Sequence, residues 1–182
     1  EFVVFDAITP DAPIPLIEKA IEFYQSNDCD AIVAFGGGSS MDASKAIAVS
    51  VANPGKSLRA LAGYLKGLRS PVKIYAVPTT AGTGSEVTVA AVISDPERQA
   101  KLVIVDTRLV PKMAALDPAL MTGLPTVWPA PSARCSRCRS RPSTSAPAPQ
   151  QQAGGRRWRL RAAAVRRPAR AAGRSSPWPR PE

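Results

Sequence analysis

Two glycine loops, each directly behind an apolar run, constrain this chain more than any other feature. Residues 36–42 read Gly-Gly-Gly-Ser-Ser-Met-Asp after the run 31–35. Residues 78–86 read Pro-Thr-Thr-Ala-Gly-Thr-Gly-Ser-Glu after the run 72–77. A short apolar run ending in glycine reads as a buried strand followed by a sharp turn. Lacking a Cβ, Gly36, Gly37 and Gly38 let the backbone turn tightly and let a phosphate come close. The segment 39–51 behind them has helical character, so its free N–H groups and positive dipole end would face the same point. Ser39 is the expected N-cap, and with Asp42 three residues on it resembles a capping box with a shortened acid. On these residues alone the first loop is either a phosphate cradle or a well-capped helix after a tight turn. The second loop sets four hydroxyls (Thr79, Thr80, Thr83, Ser85) around Gly82 and Gly84. That suits a polar ligand at close range and also suits a polar turn between strands. Glu86 reads as a solvated acid.

The rest of the first 125 residues alternates in the same way. Residues 1–5 read as a buried strand. Residues 14–25 read as an amphipathic helix, with Ile14, Ile17, Ile21 and Tyr24 at helical spacing and Pro13 and Pro15 at its start, where a missing N–H is tolerated. The second helix, with Met41, Ala46, Ile47 and Val51 inward, stops at Asn53-Pro54-Gly55. Residues 87–93 and 102–105 read as β-branched strands with a turn at Asp95-Pro96, and 112–116 as one more short strand. Strand, helix, strand, helix, strand predicts an α/β fold with a parallel sheet and flanking helices. In such sheets ligands gather beyond the carboxyl ends of the strands, where both glycine loops are expected.

Charge divides the chain. Residues 1–125 hold 11 Lys and Arg against 13 Asp and Glu, a net of −2, whereas residues 126–182 hold 13 Arg and one acid, a net of +12. Nine of the 19 prolines fall in the second part. The high pI therefore describes a tail, not the body. With almost no apolar periodicity, residues 126–182 are expected to be a low-complexity, disordered basic tail, with transient helix at 160–165. Arg, Pro, Ser and Ala are also what GC-rich DNA yields out of frame, so a frameshift origin is a second expectation for this segment. Cys135-Ser-Arg-Cys138 has two of the four ligands a structural zinc wants and lacks the βαβ setting of a redox pair. Trp158 between Arg157 and Arg159, with Trp128 and Trp178, allows non-specific contact with nucleic acid through phosphate neutralisation. Three cysteines make no disulfide framework, and a reduced, cytoplasmic setting is expected. No apolar stretch approaches the ~18 residues of a membrane span. The start at Glu1, inside a strand-like run, reads as truncated.

Taken together, the triple-glycine segment and the Thr/Gly segment some forty residues later closely resemble the iron-containing (group III) alcohol dehydrogenase family. Lys101 in Lys-Leu-Val-Ile-Val-Asp, the run Leu109-Val110-Pro111-Lys112 to Leu116-Asp117-Pro118, and Met121-Thr122-Gly123-Leu124-Pro125 match in order and spacing, as do Val3-Val4-Phe5-Asp6 and Cys29-Asp30-Ala31-Ile32-Val33. The resemblance covers residues 1–125 and none of 126–182. It implies a partial Rossmann-like nucleotide-binding domain, and hydride transfer between NAD or NADP and a small alcohol or aldehyde. It implies that Gly37, Gly38 and Ser39 hold the pyrophosphate and that Asp42 lies towards the nicotinamide. Thr79, Thr80, Thr83 and Ser85 would line the pyrophosphate and ribose, and Lys101 would reach the ribose. Read without the resemblance, Lys101 is a surface lysine at a strand start. The family's iron (or zinc) is held by one Asp and three His of an all-helical domain. The chain has no histidine and no Asp after Asp117. The expectation is therefore a catalytically incomplete fragment with cofactor-binding residues but no catalytic or metal residues of its own. A homo-oligomer stays open. The alternative is a non-enzymatic binding protein whose basic tail contacts nucleic acid or other polyanions.

Overall fold

Apolar runs bounded by glycine and proline become strands, and the two longer periodic segments become helices. The computed structural model describes residues 2–121 and the backbone of residues 160–166. Strand β1 (Phe2–Ile8) leads to helix α1 (Ile14–Ser26), strand β2 (Cys29–Gly36) and helix α2 (Gly38–Ala52). A single turn, α3 (Leu58–Leu61), and strand β3 (Gly63–Tyr64) precede strand β4 (Lys73–Pro78). Strands β5 (Ala90–Asp95), β6 (Ala100–Val105) and β7 (Met113–Ala114) follow, and β8 (Leu160–Arg166) is the last described element.

The strands form two sheets, ordered β1-β8-β2-β4-β7 and β3-β6-β5. Strands β2, β4 and β7 are parallel, as strand–helix–strand alternation dictates. Asp95-Pro96 begins the turn of an antiparallel hairpin, β5–β6, which with β3 makes the smaller sheet. Strand β5 starts at Ala90, three residues later than the β-branched run predicts.

Residues 160–166 correct the sequence reading. In place of the transient helix expected at 160–165 they form β8, antiparallel to both β1 and β2. The reason lies in the backbone. Strands β1 and β2 stand one strand position apart, so each turns a row of N–H and C=O groups into the same gap. An extended segment there satisfies both rows, and backbone bonding does not need the apolar periodicity that the sequence reading searched for.

Helix α1 buries Ile14, Ile17, Ala20 and Tyr24. Ile14 and Ile17 each contribute roughly 1.5–3 kcal/mol by their burial. Helix α2 differs from an amphipathic helix. It is buried almost all round, from Ser40 to Ser50 with only Asp42 half-buried, because it packs against β2, β4 and α1 as well as β5. Ala43, Ser44, Ala46 and Ala48 are small enough to allow this. Its N-terminus is thereby held between the two sheets, at the carboxyl ends of β2 and β4.

Candidate functional site

Strands β2 and β4 are adjacent and parallel, and their register ends with Gly36 opposite Pro78. Both glycine loops therefore leave neighbouring strands at the same edge. The Thr79 N–H donates to the Gly36 carbonyl at 2.9 Å, extending the ladder one step into the loops. Gly36 has φ 149°, in the region that favours glycine. A Cβ at Gly37 would lie 3.1 Å from Thr80 Oγ1. One at Gly38 would lie 3.3 Å from Thr83 Cγ2 and 3.4 Å from Ser85 Oγ. The structure thus brings Gly37, Gly38, Thr79, Thr80, Thr83 and Ser85 together, with two glycines where any side chain would crowd the facing loop.

The cap of α2 differs from the expected capping box. Gly37, extended at φ −85° and ψ −166°, holds the N-cap position with no side-chain hydrogen bond. Its carbonyl accepts from the Met41 N–H at 3.2 Å. The helix thus starts one residue earlier than the reading from Ser39 allows, and Ser39 already lies inside it. Ser39 Oγ instead accepts from the Asp11 N–H at 3.2 Å. Asp11 Oδ1 is ion-paired with Lys101 Nζ at 2.9 Å, both side chains being exposed. Lys101 therefore sits at the rim, joined through Asp11 to Ser39. Asp11 was missed in the sequence; its signal is the Thr-Pro-Asp-Ala-Pro turn, in which Asp11 and Ala12 take positive φ.

Asp42 faces the smaller sheet. Its Oδ2 accepts from the Val92 N–H at 3.2 Å; its Oδ1 and Thr80 Oγ1 are buried with no partner in hydrogen-bonding geometry, the Ser85 hydroxyl lying near Asp42 and helping to hold its charge. Burial pushes the Asp42 carboxyl above its ordinary range, against the Val92 amide, the Lys45 charge and the nearby Ser85 hydroxyl. Lys45 was also missed. Its side chain has no exposed surface. Its Nζ donates to Thr88 O at 2.8 Å, Thr88 Oγ1 at 2.9 Å and Ala90 O at 2.9 Å. Burial pushes this ammonium down, opposed by Asp42 and Glu86. The available signal was one lysine amid Ala, Ser, Ile and Val in a helix too apolar to show it to water.

Two further acid–base pairs lie in and beside the smaller sheet. Arg59 Nε and Nη2 donate to Asp95 at 2.6 and 2.9 Å, and Nη2 also reaches Glu97. This holds the Asp95 carboxyl down at about 2, with burial in partial opposition. Arg108 closes on Asp106 at 2.6 and 2.9 Å and on the Gly67 carbonyl at 2.9 Å. Both pairs are saturated and belong to the scaffold. Cys135, Cys138, Trp128, Trp158, Trp178 and most of the arginine-rich tail lie outside the described residues. No helix among the described residues is long and apolar enough to cross a membrane.

A family model described as "Iron-containing alcohol dehydrogenase" matches residues 1–118. Lactaldehyde reductase of Escherichia coli is 36% identical over 125 residues, 68% of this chain and 33% of the relative. A solved 1,3-propanediol oxidoreductase is 36% identical with a TM-score of 0.63, covering 66% of this chain and 31% of that one. Sulfoacetaldehyde reductase of Bifidobacterium kashiwanohense, solved in complex with NAD+, is 35% identical with a TM-score of 0.59, over 63% of this chain and 31% of that one. The chain thus spans about a third of the length of the relatives it matches. Among the described residues no group of three or more His, Cys, Asp or Glu is able to hold a metal ion, so these residues do not fit an iron centre; the sequence contains no histidine.

Proposed function

The chain belongs to the iron-containing alcohol dehydrogenase family, and we propose that the crevice between its two glycine loops holds the pyrophosphate of NAD or NADP. The observation that carries this reading is the approach of Gly37 to Thr80 and of Gly38 to Thr83 and Ser85, with Thr80 Oγ1 buried and unbonded between them. A buried hydroxyl without a partner is costly, and a phosphate oxygen would accept a hydrogen bond from it. Gly37 and Gly38 would admit the diphosphate to the backbone N–H groups that open α2. Ser39, Thr79, Thr80, Thr83 and Ser85 would hydrogen-bond its oxygens and the adjoining ribose. Lys101, at the rim, would reach the ribose by exchanging its pairing with Asp11. Asp42, deeper along α2, would lie on the nicotinamide side. Once bound, the nicotinamide would donate or accept the hydride of a small alcohol or aldehyde.

For these 182 residues the proposal is binding without turnover. What supports this is the lack, among the described residues, of any cluster of His, Cys, Asp or Glu that could hold the family's metal, and a sequence without histidine. Calorimetry on the whole chain with NAD(H) and NADP(H) tests the first half. Saturable binding of at least one is expected, and no heat from either together with salt-sensitive DNA affinity would favour a polyanion-binding protein instead. Alcohol oxidation by the purified chain with added iron or zinc would refute the second half.

A further inference from the structure

Strand β5 is an edge of the smaller sheet, with β6 on its other side. Along a strand successive backbone groups point alternately to the two sides. The Val89 carbonyl turns to the inner side and accepts from the Asp106 N–H at 3.0 Å. The carbonyls of Thr88 and Ala90 turn outward, and both accept from Lys45 Nζ. One step further along the same edge, the Val92 N–H donates to Asp42. Asp42 and Lys45, three residues apart on one face of α2, thus act as a strand would. One accepts from the free edge and the other donates to it.

The consequence concerns the second glycine loop, which runs from Thr79 to Val89. Its first residue is tied to the triple glycine through the bond from Thr79 N–H to Gly36 O. Its far end is tied to α2 through Lys45, across 43 and 45 residues of sequence. Between these anchors the loop is held by a turn, Val87 N–H to Gly84 O at 3.0 Å, with Gly82 and Gly84 at positive φ. Both anchors lead back to the same unit, the carboxyl end of β2 and the helix behind it.

We propose that Lys45 is the positioning residue of the crevice, its buried ammonium fixing the Thr/Gly loop at the distance from α2 that a dinucleotide pyrophosphate requires. This deepens the cofactor reading above and rests on it. Lys45 touches no part of the ligand; it acts through the placement of Thr80, Thr83 and Ser85. A lysine suits the task because one ammonium has three donors for three acceptors from a single short segment. A side chain without donors, such as methionine, would leave the Thr88 and Ala90 carbonyls without this partner.

The test uses the whole chain in two arms, hydrogen exchange without ligand and calorimetric titration with NAD+. Lys45→Met is expected to speed exchange of the Val87 amide at least about tenfold, the scale of losing hydrogen bonds to a charged group, and to weaken NAD+ binding by a similar factor. Thr88→Val removes one of the three acceptors; it should show the same changes in smaller measure, and it decides the matter if Lys45→Met does not fold. Ile17→Ala, a buried change in α1, should lower the thermal midpoint and leave both readouts near the parent's. Unchanged Val87 exchange in Lys45→Met and Thr88→Val would overturn the proposal, as would equal loss of affinity in Ile17→Ala. A parent chain that binds no NAD+ would sink the cofactor reading alone, and the exchange arm would still decide whether Lys45 pins the loop.

Discussion

Buried charge is handled in two ways at the smaller sheet. Near the β5–β6 turn, Arg59 closes on Asp95 with two short bonds, and Arg108 closes on Asp106 in the same fashion. Asp95 and Asp106 each meet an arginine in direct side-chain contact. At the β5 edge that meets α2, Asp42 and Lys45 spend their hydrogen bonds on the backbone of residues 88–92 and on the Thr88 hydroxyl. Asp42 Oδ1 and Thr80 Oγ1 are left buried and unbonded. The closed pairs need nothing more and contribute stability. On the open side Lys45 uses all three of its donors, and the unused capacity is the Asp42 Oδ1, a buried acceptor next to the proposed crevice. The Oγ atoms of Ser40, Ser44 and Ser50 along α2 are buried and unbonded too, so it is the proximity of Thr80 and Asp42 to the two glycine loops, and not the lack of a partner alone, that favours a ligand there.

The largest expected effect falls on the open side. Gly37→Val would put branched carbon where a Cβ is already 3.1 Å from Thr80 Oγ1. Overpacking of this kind costs about 1–3 kcal/mol. Here that strain opposes the very approach of the loops that binding needs, so NAD+ affinity should fall ~10- to 100-fold by calorimetry. Asp95→Asn, on the closed side, should leave affinity at the parent's value. Equal affinity in Gly37→Val and parent would remove the crevice from the binding surface and end the comparison.

Next in size is the acid response of the closed side. The Asp95 carboxyl is held at about 2 in the folded chain, below its ordinary value of 3.8. Between those values the unfolded chain binds more protons, so stability rises with pH there. The contribution is present above about pH 4 and is lost as pH falls towards 2. Asp95→Asn should therefore lower the thermal midpoint at pH 7 and flatten its decline below pH 4. A mutant profile parallel to the parent's down to pH 2 would show that this ion pair is not stabilising.

Much of this was legible in the sequence, and the failures share one cause. The turn residues of both glycine loops, the β2–α2 and β4–loop junctions and the Asp95-Pro96 hairpin follow from local chemistry, which a sequence displays directly. The pairing of the loops followed from parallel alternation, since neighbouring parallel strands present their carboxyl ends on one side. What escaped depends on partners distant in the chain. Lys45 meets acceptors 43 and 45 residues away, and Asp11 meets Lys101 across 90. The β8 strand sits between β1 and β2 because their backbones leave a gap, which no side-chain pattern in 160–166 advertises. The N-cap slipped from Ser39 to Gly37 because an extended glycine can serve as cap without a side chain, and periodicity places helix ends only to within a residue or two.

The smallest expected effect is also the sharpest test of the comparison. Burial raises the Asp42 carboxyl above 3.8 in the folded chain. The folded state then holds its proton more tightly than the unfolded one, so this group's contribution falls as pH rises from about 4 through the raised value. At pH 7 its charge costs stability instead of adding it. Asp42→Asn keeps an oxygen for the Val92 N–H and removes that cost, at the expense of the attraction to Lys45. The thermal midpoint at pH 7 should match or slightly exceed the parent's, and the slope between pH 4 and 7 should shrink. Asp95→Asn should move the other way under the same conditions. A clear drop in the midpoint of Asp42→Asn would mean that its carboxylate is stabilising in the folded chain, like that of Asp95. The β5 edge would then be one more saturated charge pair of the scaffold, and the unbonded oxygens beside it would need a cause other than a ligand.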